Sequence, residues 1–137
     1  FANPYSDYLR TVASDSIKKT GVVCHDSGTV VVIQGPRFSS KAESKWFSEQ
    51  GWEVVNMTQY PEVVLAKELE MAFVNISLIT DYDSGVDGVK KPDSVEDILS
   101  VFGQNIENIK KSILFMIDLI DVEKDCDAHN ALSFSRF

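Results

Sequence analysis

Asp81 and Asp83 stand one residue apart where an apolar run gives out. Close carboxylates raise each other's affinity for protons, so one of a pair can stay neutral near pH 7 and donate a hydrogen bond while its neighbour accepts one. Such a pair matches the edge of adenine, where a ring-nitrogen acceptor lies beside an amine donor; an Asn in the same place would suit a 6-oxopurine better. Acids at such a place also solvate loops or cap turns, and composition alone favours those uses. Phe38, on a loop after a predicted strand, has two readings. It is a core side chain tucked under the loop, which spacing slightly favours, or a ring that stacks on a flat base for about 1–3 kcal/mol. Thr58 falls just before a predicted helix, where free N–H groups and the helix dipole favour an anion and a hydroxyl adds a donor; a simple cap or turn hydroxyl is equally common. His25, a lone histidine near a turn, reads as structural or solvent-exposed.

The elements that must position these residues read as an open α/β arrangement. Residues 71–80 are apolar, β-branched and aromatic, long enough for a strand buried on both faces. Its carboxyl end would deliver the two acids to where open α/β sheets bind ligands. Residues 22–25, 28–33 and 53–57 are further strand candidates. A first helix is predicted from Asn3 as N-cap with Pro4 in its first turn, stopping at Gly21. A second, over 41–50, opens on a Ser40 and Glu43 capping box, turns Ala42, Trp46 and Phe47 to the core and ends at Gly51. A third covers 61–69. The longest begins at Pro92 with Asp93 and Glu96 in cap spacing, and its stripe through Val95, Ile98, Leu99, Phe102, Ile106, Ile109, Ile113, Ile117 and Ile120 reads mostly as core; Gly103 within it is a candidate bend. Between the acids and that helix, residues 85–91 read as a mobile loop over the strand ends. The tail from Asp121 carries no periodic signal.

The chain of 137 residues is one domain's worth, enough to bury a real core without staples. A net charge of −8 argues against a protein that grips nucleic-acid backbone. Cys24 and Cys126 have no metal or redox spacing and read as buried free thiols, fitting a reducing, cytoplasmic setting. No apolar run is long enough to span a bilayer and no cationic leader precedes one, so no membrane partner is expected. Neither a P-loop nor a zinc pattern occurs. The chain opens on Phe1 rather than Met, directly into a helix start, which suggests that residues upstream are missing.

Three stretches, Gly35-Pro36-Arg37-Phe38-Ser39-Ser40-Lys41-Ala42-Glu43-Ser44, Asn56-Met57-Thr58-Gln59-Tyr60-Pro61-Glu62-Val63-Val64-Leu65-Ala66-Lys67-Glu68, and Thr80-Asp81-Tyr82-Asp83, resemble the carboxyl-terminal half of the methylthioadenosine phosphorylases, a branch of the trimeric purine nucleoside phosphorylase family. The resemblance covers nearly the whole chain, with the motifs in order and near the right spacing. Ser39-Ser40 and Asp81 side with that branch against the 6-oxopurine enzymes, which carry Glu-Thr and Asn there. It implies half of a three-layer α/β/α phosphorylase-type fold and phosphorolysis of S-methyl-5'-thioadenosine, in purine and methionine salvage. Phe38 would pack on the base, Met57 lie against the ribose, Thr58 contact phosphate, and Asp81 with Asp83 hold and help protonate the departing adenine. Thr80 would line the base pocket and Val95 would bound the methylthio end. No metal or organic cofactor is implied, inorganic phosphate being a co-substrate. Partners would be the nucleoside, two further copies in a homotrimer, and the absent amino-terminal half with its phosphate ligands and a histidine from across the subunit interface. The compartment implied is the cytoplasm, with the nucleus added in a eukaryote. Alternatives are a 6-oxopurine nucleoside phosphorylase and a non-catalytic nucleotide-binding or assembly fragment. Residues 85–91 depart from the motif, and the chain alone should be inactive.

Overall fold

A computed structural model describes residues 1–84, 94–133 and 135. The loop expected at 85–91 and the cap expected at Asp93 lie outside them. Elements follow in the order α1 (Asp7–Lys18), β1 (Val30–Val32), α2 (Lys41–Glu49), β2 (Val54–Asn56), α3 (Glu62–Glu68) and α4 (Val95–Leu119), with a 3-10 turn at Asp127–Asn130. The chain divides into two compact units, one made of residues 1–26, 59–77 and 108–137, the other of 27–58 and 78–107.

The second unit is built on a β–α–β crossover. β1 and β2 pair in parallel, Val30 opposite Val54, Val31 opposite Val55 and Val32 opposite Asn56. Parallel neighbours need a long connection, usually helical, and α2 supplies it. Ser40 starts α2 through the capping box foreseen in the sequence: its hydroxyl accepts from the Glu43 N–H, and the Glu43 carboxylate accepts from the Ser40 N–H. Gly51 ends it at φ +72°, the left-handed conformation that a residue lacking Cβ adopts without strain. On the inner face of α2, Phe47 is 4% exposed, with its ring centroid 5.7 Å from that of Trp46 and 6.1 Å from that of Trp52. Trp46 and Ala42, both expected in the core, are exposed. On a nine-residue helix the buried stripe narrows to Phe47 and Ser44.

In the first unit the N-cap of α1 is Ser6 rather than Asn3. The Ser6 hydroxyl accepts from the Leu9 N–H at 3.4 Å, and its own N–H donates to the Phe73 carbonyl at 2.9 Å. That second bond buries Ser6 and fixes where the helix begins. Gly21 follows at φ +78°, as expected of the stop. Tyr5 stacks on Phe73 and its hydroxyl donates to the Gln59 amide oxygen. Residues after α4 dock rather than fray: the Asp121 N–H donates to the Tyr8 hydroxyl at 2.7 Å and the Leu132 N–H to Glu70 at 3.1 Å.

Several expectations are overturned. Residues 71–80 form no strand, and residues 22–25 do not either. A strand exists only with a ladder partner, and the sheet among the described residues has two strands. Met71 and Ile79 are each 57% exposed, so the run is not buried on both faces, although burial alternates from Asn75 to Asp81 as in extended backbone. α4 opens at Ser94, whose hydroxyl accepts from the Asp97 N–H at 3.1 Å while Asp97 accepts from the Ser94 N–H, so the cap box lies one residue later than the expected one. The α4 stripe is not core: Val95, Leu99, Phe102, Ile113 and Ile117 are exposed, and Ile98, Ile106, Ile109 and Ile120 are half-buried. Cys24 and Cys126 are free, though half-buried rather than buried. Among the described residues the side chains below 2% exposure are three serines, so the core expected of a self-sufficient domain is thin. No helix among the described residues is long and apolar enough to cross a membrane.

Phe47→Ala should cost about 3–5 kcal/mol by opening a cavity under the crossover helix, read as a fall in the urea midpoint with an unchanged slope.

Candidate active site at the carboxyl ends of the paired strands

Because β1 and β2 run parallel in register, the loops leaving them emerge on the same side. One is Gly35 to Ser39, the other starts at Met57 and Thr58. The two loops touch. A Cβ on Gly35 would stand 3.1 Å from the Met57 sulfur, so glycine there lets the backbone lie against the methionine side chain.

A third segment joins them. The Ser39 hydroxyl lies 2.5 Å from both carboxylate oxygens of Asp83, and the Ser84 N–H donates to Asp83 Oδ1 at 2.9 Å. Ser84 returns a weaker bond of 3.4 Å from its hydroxyl to the Ser39 carbonyl. Ser39 itself is 8% exposed. Asp81 takes a separate donor, the Thr80 hydroxyl at 2.6 Å, and is exposed. Asp83 is thus a half-buried acceptor tied to the loop after β1, while Asp81 faces water with only its neighbour's hydroxyl upon it.

Phe38 lies between these anchors and is 79% exposed. That corrects the reading in which its ring tucks under the loop: with Ser39 directed to Asp83 and Ser40 committed to capping α2, the ring before them faces outward. Arg37 reaches across the base of the loop. Its Nη1 donates to the Phe38 carbonyl at 3.0 Å and to Glu43 Oε2 at 2.9 Å, and its Nη2 to Glu43 Oε1 at 2.7 Å. The Arg37 guanidinium, with the Ser40 N–H and hydroxyl, holds the Glu43 carboxyl down from 4.5 to about 2.

Thr58 is exposed; its N–H is occupied by the Asn56 side-chain oxygen at 3.3 Å, and its hydroxyl has no hydrogen bond among the described residues. Val95 is the first residue of α4 and is 67% exposed. Phe38, Met57 and Asp83 are therefore linked through one set of loops with Thr80 and Asp81 adjacent in sequence, while Val95 stands at the start of α4. His25 is exposed, as read. Among the described residues no group of His, Cys, Asp and Glu could hold a metal ion. The sequence marks Ser39 only as a residue of the family branch and gives it no role at the site. Its signal was a second hydroxyl directly before a helix cap, in a loop at a strand end.

Residues 1–117 match the phosphorylase superfamily. The chain belongs to that superfamily. It is 48% identical over 129 residues to the S-methyl-5'-thioadenosine phosphorylase of Mycobacterium tuberculosis, covering 92% of this chain and 46% of the relative. Against the probable 6-oxopurine nucleoside phosphorylase of Dictyoglomus turgidum it is 40% identical, covering 96% and 49%. A methylthioadenosine phosphorylase structure from an antarctic soil metagenomic library superposes with a TM-score of 0.86 at 27% identity, over 97% of this chain and 47% of that one. The fold is thus of the phosphorylase type, and the chain spans about half the length of the curated relatives it matches. The resemblance read from the three motifs is borne out.

Because the folded value of Glu43 lies below its unfolded 4.5, its ionised form contributes stability that is complete above about pH 4.5 and is lost as pH falls toward 2. Urea unfolding of wild type and Glu43→Gln should therefore differ near neutrality and converge over that window.

Proposed function

We propose that this chain forms the carboxyl-terminal half of a phosphorylase that cleaves S-methyl-5'-thioadenosine with inorganic phosphate, giving adenine and 5-methylthioribose 1-phosphate. One observation carries the reading: an outward aromatic ring, Phe38, adjoins a serine whose hydroxyl holds Asp83, two residues from a solvent-facing Asp81. Stacking on a base and pairing with its edge need a flat apolar face and fixed polar groups of this kind. Phosphate oxygen would attack the anomeric carbon as the bond to the base breaks. The bonding electrons leave with adenine, whose ring nitrogen takes a proton at the Asp81 and Asp83 edge, which is general acid catalysis. In this reading the Thr58 hydroxyl donates to phosphate, Met57 lies along the ribose, Thr80 borders the base and Val95 bounds the methylthio group, where an apolar wall suits a thioether better than a hydroxyl. No metal or organic cofactor takes part.

The thin core supports the need for a complementary half. Residues 71–80 have the composition of a buried strand without a ladder partner, and the apolar stripe of α4 is open, which is what a domain core cut in two would present. Assembly as a homotrimer, a cytoplasmic location and a place in purine and methionine salvage belong to the same proposal.

The full-length protein should release adenine from methylthioadenosine only when phosphate is present, with inosine a poor substrate. Preference for inosine would reject the assignment. Asp81→Asn should lower turnover of the adenine nucleoside about 10²-fold or more, while stability moves by no more than about 0.5 kcal/mol, as expected at an exposed position. A variant that unfolds yet keeps its specific activity would make the acid structural.

A further inference from the structure

We propose that Arg37 is a positioning residue for the Phe38 ring, acting through the Phe38 backbone; the inference rests on the phosphorylase reading of the same site. A ring 79% exposed has almost no packing to hold it, so its direction is set by the backbone that carries it. The peptide unit that follows the ring is held from two directions. Ser39 is anchored to Asp83 through its side chain, and the Phe38 carbonyl accepts from Arg37, whose Nη1 bridges it and Glu43. Glu43 is in turn fixed to the first turn of α2, accepting the Ser40 N–H at 2.7 Å and the Ser40 hydroxyl at 2.9 Å. An unbroken run of hydrogen bonds therefore leads from the helix to the carbonyl beside the ring.

Helix capping alone does not require the arginine. Glu43 completes the capping box through Ser40 without it, so starting the helix does not depend on the guanidinium. What a planar two-pronged guanidinium adds is direction, because it fixes the angle of the groups it joins as well as their distance. A ring held in its binding orientation before the ligand arrives loses less freedom on binding. The consequence falls on ligand affinity and leaves the chemical step alone. Nothing in the ring's own surroundings would produce that effect.

The test uses the full-length protein with two readouts. Arg37→Met should raise hydrogen exchange of the amides at 38–40 several-fold and raise KM for methylthioadenosine about five- to tenfold, with kcat within twofold and helix content unchanged. Glu43→Gln, which keeps a cap acceptor but loses the charged fork, should move both readouts the same way. Lys45→Met on the outer face of α2 removes one cation elsewhere on that helix and should move neither, which separates positioning from a general loss of attraction for phosphate. Unchanged exchange in Arg37→Met, or raised exchange with a wild-type KM, would overturn the proposal, as would an equal change in Lys45→Met. If wild type neither turns over the nucleoside nor binds adenine, the phosphorylase reading fails by itself, and the exchange measurement still decides whether Arg37 fixes the loop.

Discussion

Everything at the candidate site depends on the parallel register of two three-residue strands. Pairing Val30, Val31 and Val32 with Val54, Val55 and Asn56 sends both strands the same way, so the backbone leaves each at the same edge. An antiparallel pair would send the Phe38 loop and the Met57 turn to opposite ends. The pairing is short, and the loops reinforce it: the Ile33 N–H donates to the Asn56 carbonyl at 2.9 Å, and Gly35 lies against Met57. A ladder of three residues is marginal by itself. Phe47 on the inner face of the crossover helix, packed on the half-buried Trp52, supplies the apolar burial that holds it.

Hydroxyl groups then do most of the fine placement. Ser39 ties Asp83, Thr80 meets Asp81, and Ser40 starts the helix while helping to hold Glu43. Two of these belong to one dipeptide, and their directions explain the outward ring: with one serine turned to the acid and the other to the helix, the phenylalanine before them has no inward course left. The two acids consequently differ in setting although they are one residue apart. Asp83 accepts from a nearly buried hydroxyl and a backbone N–H, whereas Asp81 remains open to whatever approaches the loops. A site that must accept from one atom of a ring edge and donate to another requires this kind of asymmetry.

Local signals in the sequence located what local physics decides. The Ser40 and Glu43 capping box, the stops at Gly21 and Gly51, and the docking of Phe47 follow from caps, backbone freedom and periodicity, and all are present. Partners distant in sequence were not legible. Ser6 caps α1 in place of Asn3 because the Phe73 carbonyl captures its N–H, and no pattern within the helix foretells a partner so far along the chain. Residues 71–80 read as a buried strand because composition reports what a segment can bury and is silent on whether a ladder neighbour exists. The stripe of α4 misled for the same reason: its period shows an apolar face and does not say what covers it. At the site the resemblance named Phe38, Asp81 and Asp83, where spacing and composition alone favoured a core ring and loop or cap acids. Ser39 escaped because its role appears only when Asp83 comes within 2.5 Å of it.

The central claim is that Phe38 and the acids at 81 and 83 together form a recognition surface for an aminopurine at the carboxyl edge of the β1 and β2 pair. A crystal structure of the full-length protein with adenine bound tests it most directly. The account predicts the base lying flat on the Phe38 ring, with its amine and a ring nitrogen within hydrogen-bond distance of the Asp81 and Asp83 carboxyl groups. Adenine bound elsewhere, or an Asp81 side chain directed into water away from the base, would contradict it.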